Sequence, residues 1–208
     1  MSDAALDRLR QTWRDHVAPD DDVLLRVVER HREPHRGYHG VAHLDHVVHD
    51  ALELASRLDV DELDVVAAAA CFHDSIYTPA SSTNEADSAE LASVELAALG
   101  WSKMKQRRVA AMIEGTTHHR DPPDDASAAL FDADLAVLGA APGQYEHYRS
   151  GVRTEYRHVD DDAWRSGRAA VLRSFLDRRV IYATAEGRAR WETRARRNLA
   201  DELASLTT

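Results

Sequence analysis

Apolar side chains recur along most of the chain at the three- and four-residue spacing of an amphipathic helix. Leu6, Leu9, Trp13 and Val17 predict a first helix that stops before Pro19, because proline interrupts helices. The same spacing, divided by polar, glycine or proline breaks, predicts helices at about residues 23–31, 41–57, 61–72, 84–99, 103–117, 142–156, 162–182 and 186–206. No stretch alternates for long enough to indicate a strand, so we predict an all-α protein.

One predicted helix, residues 61–72, differs from the others because no polar side chain lies between Val65 and Phe72. A helix that is apolar all round is expected to be buried on every face. It leads directly into His73 and Asp74, whose burial is costly unless a hydrogen-bonding partner or a metal ion satisfies them. We therefore expect the rest of the chain to pack around this helix and its His-Asp end.

Three histidines lie at the start of the helix predicted at 41–57. His39, His43 and His46 are spaced four and three residues apart, so all three project from one face if the helix begins early enough. A lone histidine beside an apolar stripe is more often a hydrogen-bonded core residue than a ligand. Three of them upstream of a buried His-Asp pair favour a metal site.

Two further carboxylates lie in the apolar segment 130–139. Asp132 and Asp134 are two residues apart and point away from each other in a helix, so at most one faces the core. The spacing from Phe131 and Leu138 places Asp134 on the apolar side. Asp132 is therefore assigned to a cap or to the surface.

Length and charge limit the possible functions. At 208 residues the chain fits one domain, residues 1–208, and its formal net charge of −10 argues against binding nucleic-acid polymers. Residues 1–145 hold 13 Lys/Arg and 26 Asp/Glu, whereas residues 146–208 hold 13 Arg and 10 Asp/Glu. The last part could meet a small anion, or its arginines could simply form a solvated helix surface.

The single cysteine, Cys71, lies inside the apolar helix and is assigned to packing, since one cysteine can form neither a disulfide framework nor a thiolate zinc cluster within one chain. The first residues lack the apolar core of a secretory signal, and no stretch approaches the length of a membrane span. We expect a cytoplasmic protein with no membrane partner. Its oligomeric state is not predicted.

Several motifs together resemble a known family. His43, the pair His73-Asp74 and Asp134 have the order and rough spacing of the HD-domain superfamily of metal-dependent phosphohydrolases. The chain resembles more closely a bacterial family of predicted HD phosphohydrolases. The motifs that carry this closer resemblance are Tyr38-His39, Phe72 to Asp74 with Ile76-Tyr77, Asn84-Glu85 with Ser88-Ala89, 131–139, 152–156, Gly167-Arg168 and Ile181-Tyr182. The resemblance covers nearly the whole chain and implies a single-domain helical HD-domain fold with a buried metal site.

The resemblance implies four metal ligands: His43, His73, Asp74 and Asp134. Two imidazoles and two carboxylates suit one divalent ion, which could be Mn²⁺, Fe²⁺, Co²⁺, Ni²⁺, Zn²⁺ or Mg²⁺. On a six-coordinate ion they leave two positions for water and substrate. Members with two metals supply two further, well-separated histidines, whereas His118 and His119 are adjacent, so we predict one metal.

Other residues are candidates for catalysis and substrate binding. Glu85 follows the loop after the His-Asp pair and could act as general base or hold the attacking water, together with Asp74; alternatively it is a first-turn glutamate favoured by the helix dipole. Candidates for contacting phosphate are His39, His118, Arg153 and Arg168. Alternatively, His39 supports a ligand, His118 or His119 caps a helix, and each arginine pairs with Glu155 or a nearby aspartate.

The leading hypothesis is a phosphohydrolase that uses metal-activated water on a small phosphorylated molecule, with a nucleotide as one candidate. A second hypothesis, drawn from other HD-domain proteins, is an oxygenase with two irons. A third is a non-enzymatic module that binds a nucleotide or metabolite to signal its presence.

Overall fold

The structure, a computed structural model, describes residues 3–206, and within that range it contains helices and no strand. The α-helices are α1 (Asp3–His16), α2 (Asp22–Arg30), α3 (Val41–Arg57), α4 (Leu63–Phe72), α5 (Asn84–Ala98), α6 (Lys103–Gly115), α7 (Asp125–Asp134), α8 (Pro142–Glu155), α9 (Asp161–Leu176), α10 (Ala185–Gly187) and α11 (Thr193–Leu206). A 3₁₀ helix, Leu135–Gly139, follows α7, and a π-helical turn, Arg188–Glu192, joins α10 to α11. The all-α prediction is confirmed. The predicted domain ends at residues 1 and 208 lie outside the described residues.

Helix α4 lies at the centre of the bundle. Every residue from Val65 to Phe72 is fully buried, as the absence of polar side chains predicts. Four consecutive alanines, residues 67–70, present little bulk, so α1, α3, α5, α6 and α7 pack closely around the helix. Phe72 packs against Trp13 of α1 with ring centroids 6.1 Å apart, and burying such a side chain stabilises the fold by about 1.5–3 kcal/mol. The two residues that follow α4 are thereby fixed at the centre of the molecule.

Cys71 is buried within α4 and has the packing role that the sequence predicts. Burial raises the pKa of its thiol to about 12, because the thiolate would be poorly solvated there. The thiol is therefore protonated and unreactive at neutral pH.

Polar residues occupy the cap positions at the starts of α6 and α5, and one of these caps differs from the expected residue. The Ser102 hydroxyl accepts a hydrogen bond from Lys105 N at the start of α6, as expected for a cap. Judged from the sequence, Asn84 is the expected cap of α5, but Thr83 occupies the cap position. Asn84 instead binds both the N–H and the carbonyl of Thr78, at 2.9 and 3.0 Å, and so closes the loop that precedes α5.

Two predicted helix boundaries also move. Helix α7 begins at Asp125, before the apolar segment 130–139, because Asp124 caps it by accepting from Ser127 N at 2.9 Å. Helix α9 ends at Leu176 rather than near residue 182. There the guanidinium of Arg196 on α11 donates to the carbonyls of Leu176, Arg178 and Arg179, which supplies the partners that a longer helix would have given.

The assignment of Asp132 to a cap or the surface is wrong. Its carboxylate is buried and accepts hydrogen bonds from Ala183 N, Thr184 N and Thr184 Oγ1, at 2.7, 2.8 and 2.7 Å. A Cβ atom at Gly187 would overlap Asp132 Oδ2, so this approach requires glycine. Helix α7 is thus covered on two sides, so both Asp132 and Asp134 face other parts of the protein.

Among the described residues, no helix combines the length and the apolar character that crossing a membrane requires.

Replacing Asp132 with Ala should strongly destabilise the fold, because three donors of Ala183 and Thr184 would lose their acceptor, two of them on the buried Thr184. A buried unsatisfied polar group costs about 1–3 kcal/mol, so we expect a loss of about 3 kcal/mol or more in the free energy of unfolding, measured by urea denaturation. The exposed Asp125→Ala on the same helix is the control and should cost about 1 kcal/mol or less. Equal effects of the two substitutions would contradict the buried anchoring role of Asp132.

Candidate metal centre

Four predicted ligands meet at the end of α4. His43 lies in the first turn of α3, His73 and Asp74 directly follow α4, and Asp134 is the last residue of α7. One nitrogen or oxygen atom from each of the four side chains lies within 4.8 Å of the others, so this group could hold a metal ion. Both histidines are buried, and the two aspartates are partly buried. The predicted convergence of three separate helices is confirmed.

The distances suit ligation of a single ion. His43 Nε2 lies 3.2 Å from His73 Nε2, Asp74 Oδ2 and Asp134 Oδ1. His73 Nε2 lies 3.3 and 3.6 Å from the same two oxygens. With bonds of about 2.1 Å, adjacent ligand atoms lie about 3.0 Å apart in octahedral and about 3.4 Å apart in tetrahedral coordination. The observed separations fall in and just above that range.

Both imidazoles are oriented by hydrogen bonds at the ring nitrogen that faces away from the cluster. His73 Nδ1 lies 2.9 Å from the carbonyl of Ala70, which can only accept, so Nδ1 carries a proton and Nε2 is the nitrogen that would bind a metal ion. His43 Nδ1 lies 3.0 Å from the hydroxyl of Tyr38. Such partners fix the ring and the tautomer of metal-binding histidines.

Charge complementarity also favours a cation at this position. Burial opposes a charged imidazole, but Asp74 and Asp134 raise the pKa of His73 well above its usual range. Burial opposes ionised carboxyls, but His73 and the neighbouring hydrogen bonds hold the pKa values of Asp74 and Asp134 well below theirs. One divalent cation would balance two carboxylates beside two neutral imidazoles. The donor set therefore fits such an ion.

His119, rather than His118, reaches the cluster. His119 Nε2 lies 2.7 Å from Asp134 Oδ2, the oxygen that faces away from the two histidine ligands, and its ring packs edge-on against Phe131. His118 has an exposed side chain. The backbone at His119 has a φ of 46°, an uncommon value for a residue other than glycine, so the turn rather than helical geometry directs this ring. Sequence spacing alone could not indicate it.

Arg178 holds the turn that carries His119. Its guanidinium donates to the carbonyls of His118 and His119, both at 2.9 Å. The basic side chain after α9 therefore fixes the backbone conformation that directs His119 towards Asp134.

Glu155, at the end of α8, organises the segment in front of α3. One of its carboxylate oxygens accepts from the N–H groups of Gly37, Tyr38 and His39, at 2.8, 2.7 and 2.9 Å. The other lies 2.8 Å from His39 Nδ1 and accepts from the Tyr77 hydroxyl at the same distance. Burial opposes ionisation of Glu155, but the bonds from His39 and the backbone lower its pKa to about 2. From the sequence, Glu155 is predicted only as a candidate partner for an arginine.

Arg36 joins the same segment to the His-Asp turn. Its guanidinium is fully buried and donates to the carbonyls of His39, Asp74 and Ser75, at 3.1, 2.8 and 3.2 Å. Three carbonyls from two distant parts of the chain thus share one cation. This contact places His39 beside the cluster, with its ring 5.5 Å from that of His43.

A cleft of about 500 Å³ opens beside His39. Glu85, half-buried in the first turn of α5, lines this cleft, whereas none of the four candidate metal ligands does. Four aromatic side chains also line it: Tyr77, Tyr148, Tyr156 and Trp164. The cleft can therefore hold a small molecule in contact with His39.

The two candidate arginines already have partners. Arg153 donates to the carbonyls of Tyr156 and Val159 and pairs with Asp161 at 2.7 Å, so the predicted alternative of a nearby aspartate is confirmed. Arg168 is buried and forms a two-point pair with Glu202, at 2.8 and 3.1 Å, rather than with Glu155. Arg168 also lines the cleft.

Comparisons of the chain with models of known protein families, with curated proteins and with solved structures found no match.

Replacing His119 with Ala should weaken metal binding about 10- to 100-fold, because Asp134 loses the hydrogen bond that directs its other oxygen towards the cluster. The measurement is a titration of metal-free protein with Mn²⁺ or Co²⁺ followed by calorimetry. The adjacent His118→Ala is the control and should bind metal like the original protein. Equal affinities for all three proteins would remove His119 from the site.

Proposed function

We propose that the chain is a cytoplasmic, metal-dependent phosphohydrolase of the HD-domain type, acting on a small phosphorylated molecule. The observation that carries this proposal is the convergence of His43, His73, Asp74 and Asp134, in the order and helical setting that the resemblance implies. The ion would be one of Mn²⁺, Fe²⁺, Co²⁺, Ni²⁺, Zn²⁺ and Mg²⁺, which accept mixed nitrogen and oxygen ligands to different degrees. Such an ion supplies Lewis-acid activation of a phosphate ester and of water.

Glu85 and Asp74 would deprotonate and orient the attacking water. Glu85 lines the cleft and has the carboxylate that a general base needs. Asp74 directs Oδ2 towards the two histidine ligands, which leaves Oδ1 to accept a hydrogen bond from water. Together they would remove a proton from the water and aim its lone pair at phosphorus.

His39 would serve the leaving group. Glu155 accepts the proton of His39 Nδ1, which leaves Nε2 for the cleft that His39 lines. A buried carboxylate in this position holds an imidazole in one orientation. When the His39 ring carries a proton on both nitrogens, Nε2 would donate a hydrogen bond to the oxygen that departs from phosphorus.

The cleft favours a small substrate with a flat ring, such as a nucleotide. Its volume of about 500 Å³ lies in the usual range for small-molecule pockets. Tyr156 and Trp164 lie on its wall with ring centroids 5.5 Å apart, and Tyr77 and Tyr148 add further aromatic surface. Aromatic faces stack on nucleobases without requiring one sequence of donors and acceptors.

The alternatives make different demands on the site. A second iron needs further ligands, whereas within residues 3–206 the ligand group at this position contains four residues, a number suited to one ion. A module that only binds a metabolite needs no catalytic water, so it gives no reason for Glu85 beside the cleft. The hydrolase is therefore the function we propose.

The test is a screen for phosphate release from nucleotides, sugar phosphates and phosphodiesters in the presence of Mn²⁺, Co²⁺, Ni²⁺ or Mg²⁺. We expect a clear preference for one substrate class. Glu85→Gln should lower kcat about 100-fold or more with metal content unchanged, because it removes the charge and keeps the size. The exposed Glu90→Gln on the same helix should leave kcat unchanged.

Other outcomes would contradict the proposal. Iron near two per chain with oxygen consumption would indicate the oxygenase. Thermal stabilisation by a nucleotide without turnover would indicate the binding module. Loss of metal from Glu85→Gln would make Glu85 a ligand and reopen the number of metals.

A further inference from the structure

Tyr148 of α8 lies half-buried on the wall of the cleft, and its hydroxyl oxygen lies 3.1 Å from Arg168 Nη1. A guanidinium has donors and no acceptor, so the Tyr148 oxygen must accept this hydrogen bond. The hydroxyl proton therefore points elsewhere. Within residues 3–206 the structure gives this proton no acceptor, which leaves it directed to the space of the cleft.

Hydrogen bonds hold Arg168 in the orientation that directs the Tyr148 hydroxyl proton to the cleft. Its Nε and Nη2 donate to the two oxygens of Glu202 on α11, at 2.8 and 3.1 Å. Glu202 also accepts from the Tyr145 hydroxyl at 2.5 Å. The exposed fractions of Arg168 and Glu202 are 7% and 3%, so water does not compete for these bonds. Two-point pairs of this kind fix a guanidinium in its plane.

The position of Tyr148 relates it to the metal centre. Its ring packs edge-on against that of Tyr38, with centroids 4.7 Å apart, and the Tyr38 hydroxyl lies 3.0 Å from Nδ1 of the ligand His43. One aromatic ring thus separates Tyr148 from a metal ligand. His39 lines the same cleft.

We propose that Tyr148 is a substrate-binding residue whose hydroxyl donates a hydrogen bond to an anionic phosphoryl oxygen of a molecule held at the metal centre. This inference rests on the proposed function and adds a group that recognises its substrate. It also gives Arg168 a different role from the direct phosphate contact predicted from the sequence. Arg168 orients the hydroxyl of Tyr148, and Tyr148 meets the phosphate.

The test compares inorganic phosphate binding to the full-length, metal-loaded protein and to Tyr148→Phe, by calorimetry. The variant keeps the ring and its packing against Tyr38 and loses only the hydroxyl. A hydrogen bond to a charged group contributes enough to expect an affinity about 10- to 100-fold lower. Metal content and melting temperature should remain those of the original protein.

Ser150→Ala on α8 is the control, because it removes an exposed hydroxyl that pairs with Glu146 and does not line the cleft. We expect it to bind phosphate like the original protein. Equal affinity in Tyr148→Phe would overturn the inference, and so would an equal loss in Ser150→Ala. Failure of the original metal-loaded protein to bind phosphate would also overturn it.

An assay of phosphate release from esters distinguishes this inference from the proposed function. If the original protein hydrolyses an ester but Tyr148→Phe binds phosphate with unchanged affinity, the proposed function is retained and the role of Tyr148 is excluded. Phosphate binding that depends on Tyr148, without hydrolysis of any ester, would retain the anion contact and remove the hydrolase.

Discussion

The structure depends on placing two imidazoles and two carboxylates together in the interior, where each alone would be costly. Their ligand atoms lie within 4.8 Å of one another, and opposite charge supports the arrangement. The helices α3, α4 and α7 can contribute to this cluster only if α4 is apolar on every side, since polar side chains there would prevent close packing. The alanine-rich sequence of α4 and the position of the site therefore have one cause.

Polar contacts from the second half of the chain complete the site. Glu155 of α8 holds the segment before α3, and Arg178 after α9 holds the turn that carries His119. Arg168 of α9 and Glu202 of α11 support the wall of the cleft. Several charged side chains of the arginine-rich region thus act inside the protein, where burial strengthens their hydrogen bonds. The acidic first part, residues 1–145, supplies all four candidate metal ligands, and the second part supports them and helps to shape the cleft.

The sequence was sufficient to predict what depends on local periodicity. It indicated the buried α4 and the inward direction of Asp134, because helical spacing relates these positions to apolar neighbours, whereas His43 was singled out by the family resemblance. It could not indicate Asp132, whose partners lie about fifty residues away, or His119, whose direction depends on a backbone with positive φ. Glu155 was missed as an anchor for the same reason. Its donors are backbone N–H groups more than a hundred residues distant, and they leave no pattern of side chains.

The most direct test of this account is the metal content of the purified, full-length protein, measured by elemental analysis after a chelator has removed weakly bound ions and one divalent metal has been restored. The account predicts about one ion per chain, none in His73→Ala, and one again in His46→Ala, whose histidine is exposed on the helix that carries His43. A folded His73→Ala that keeps its full metal content, or an original protein that binds none, would contradict it.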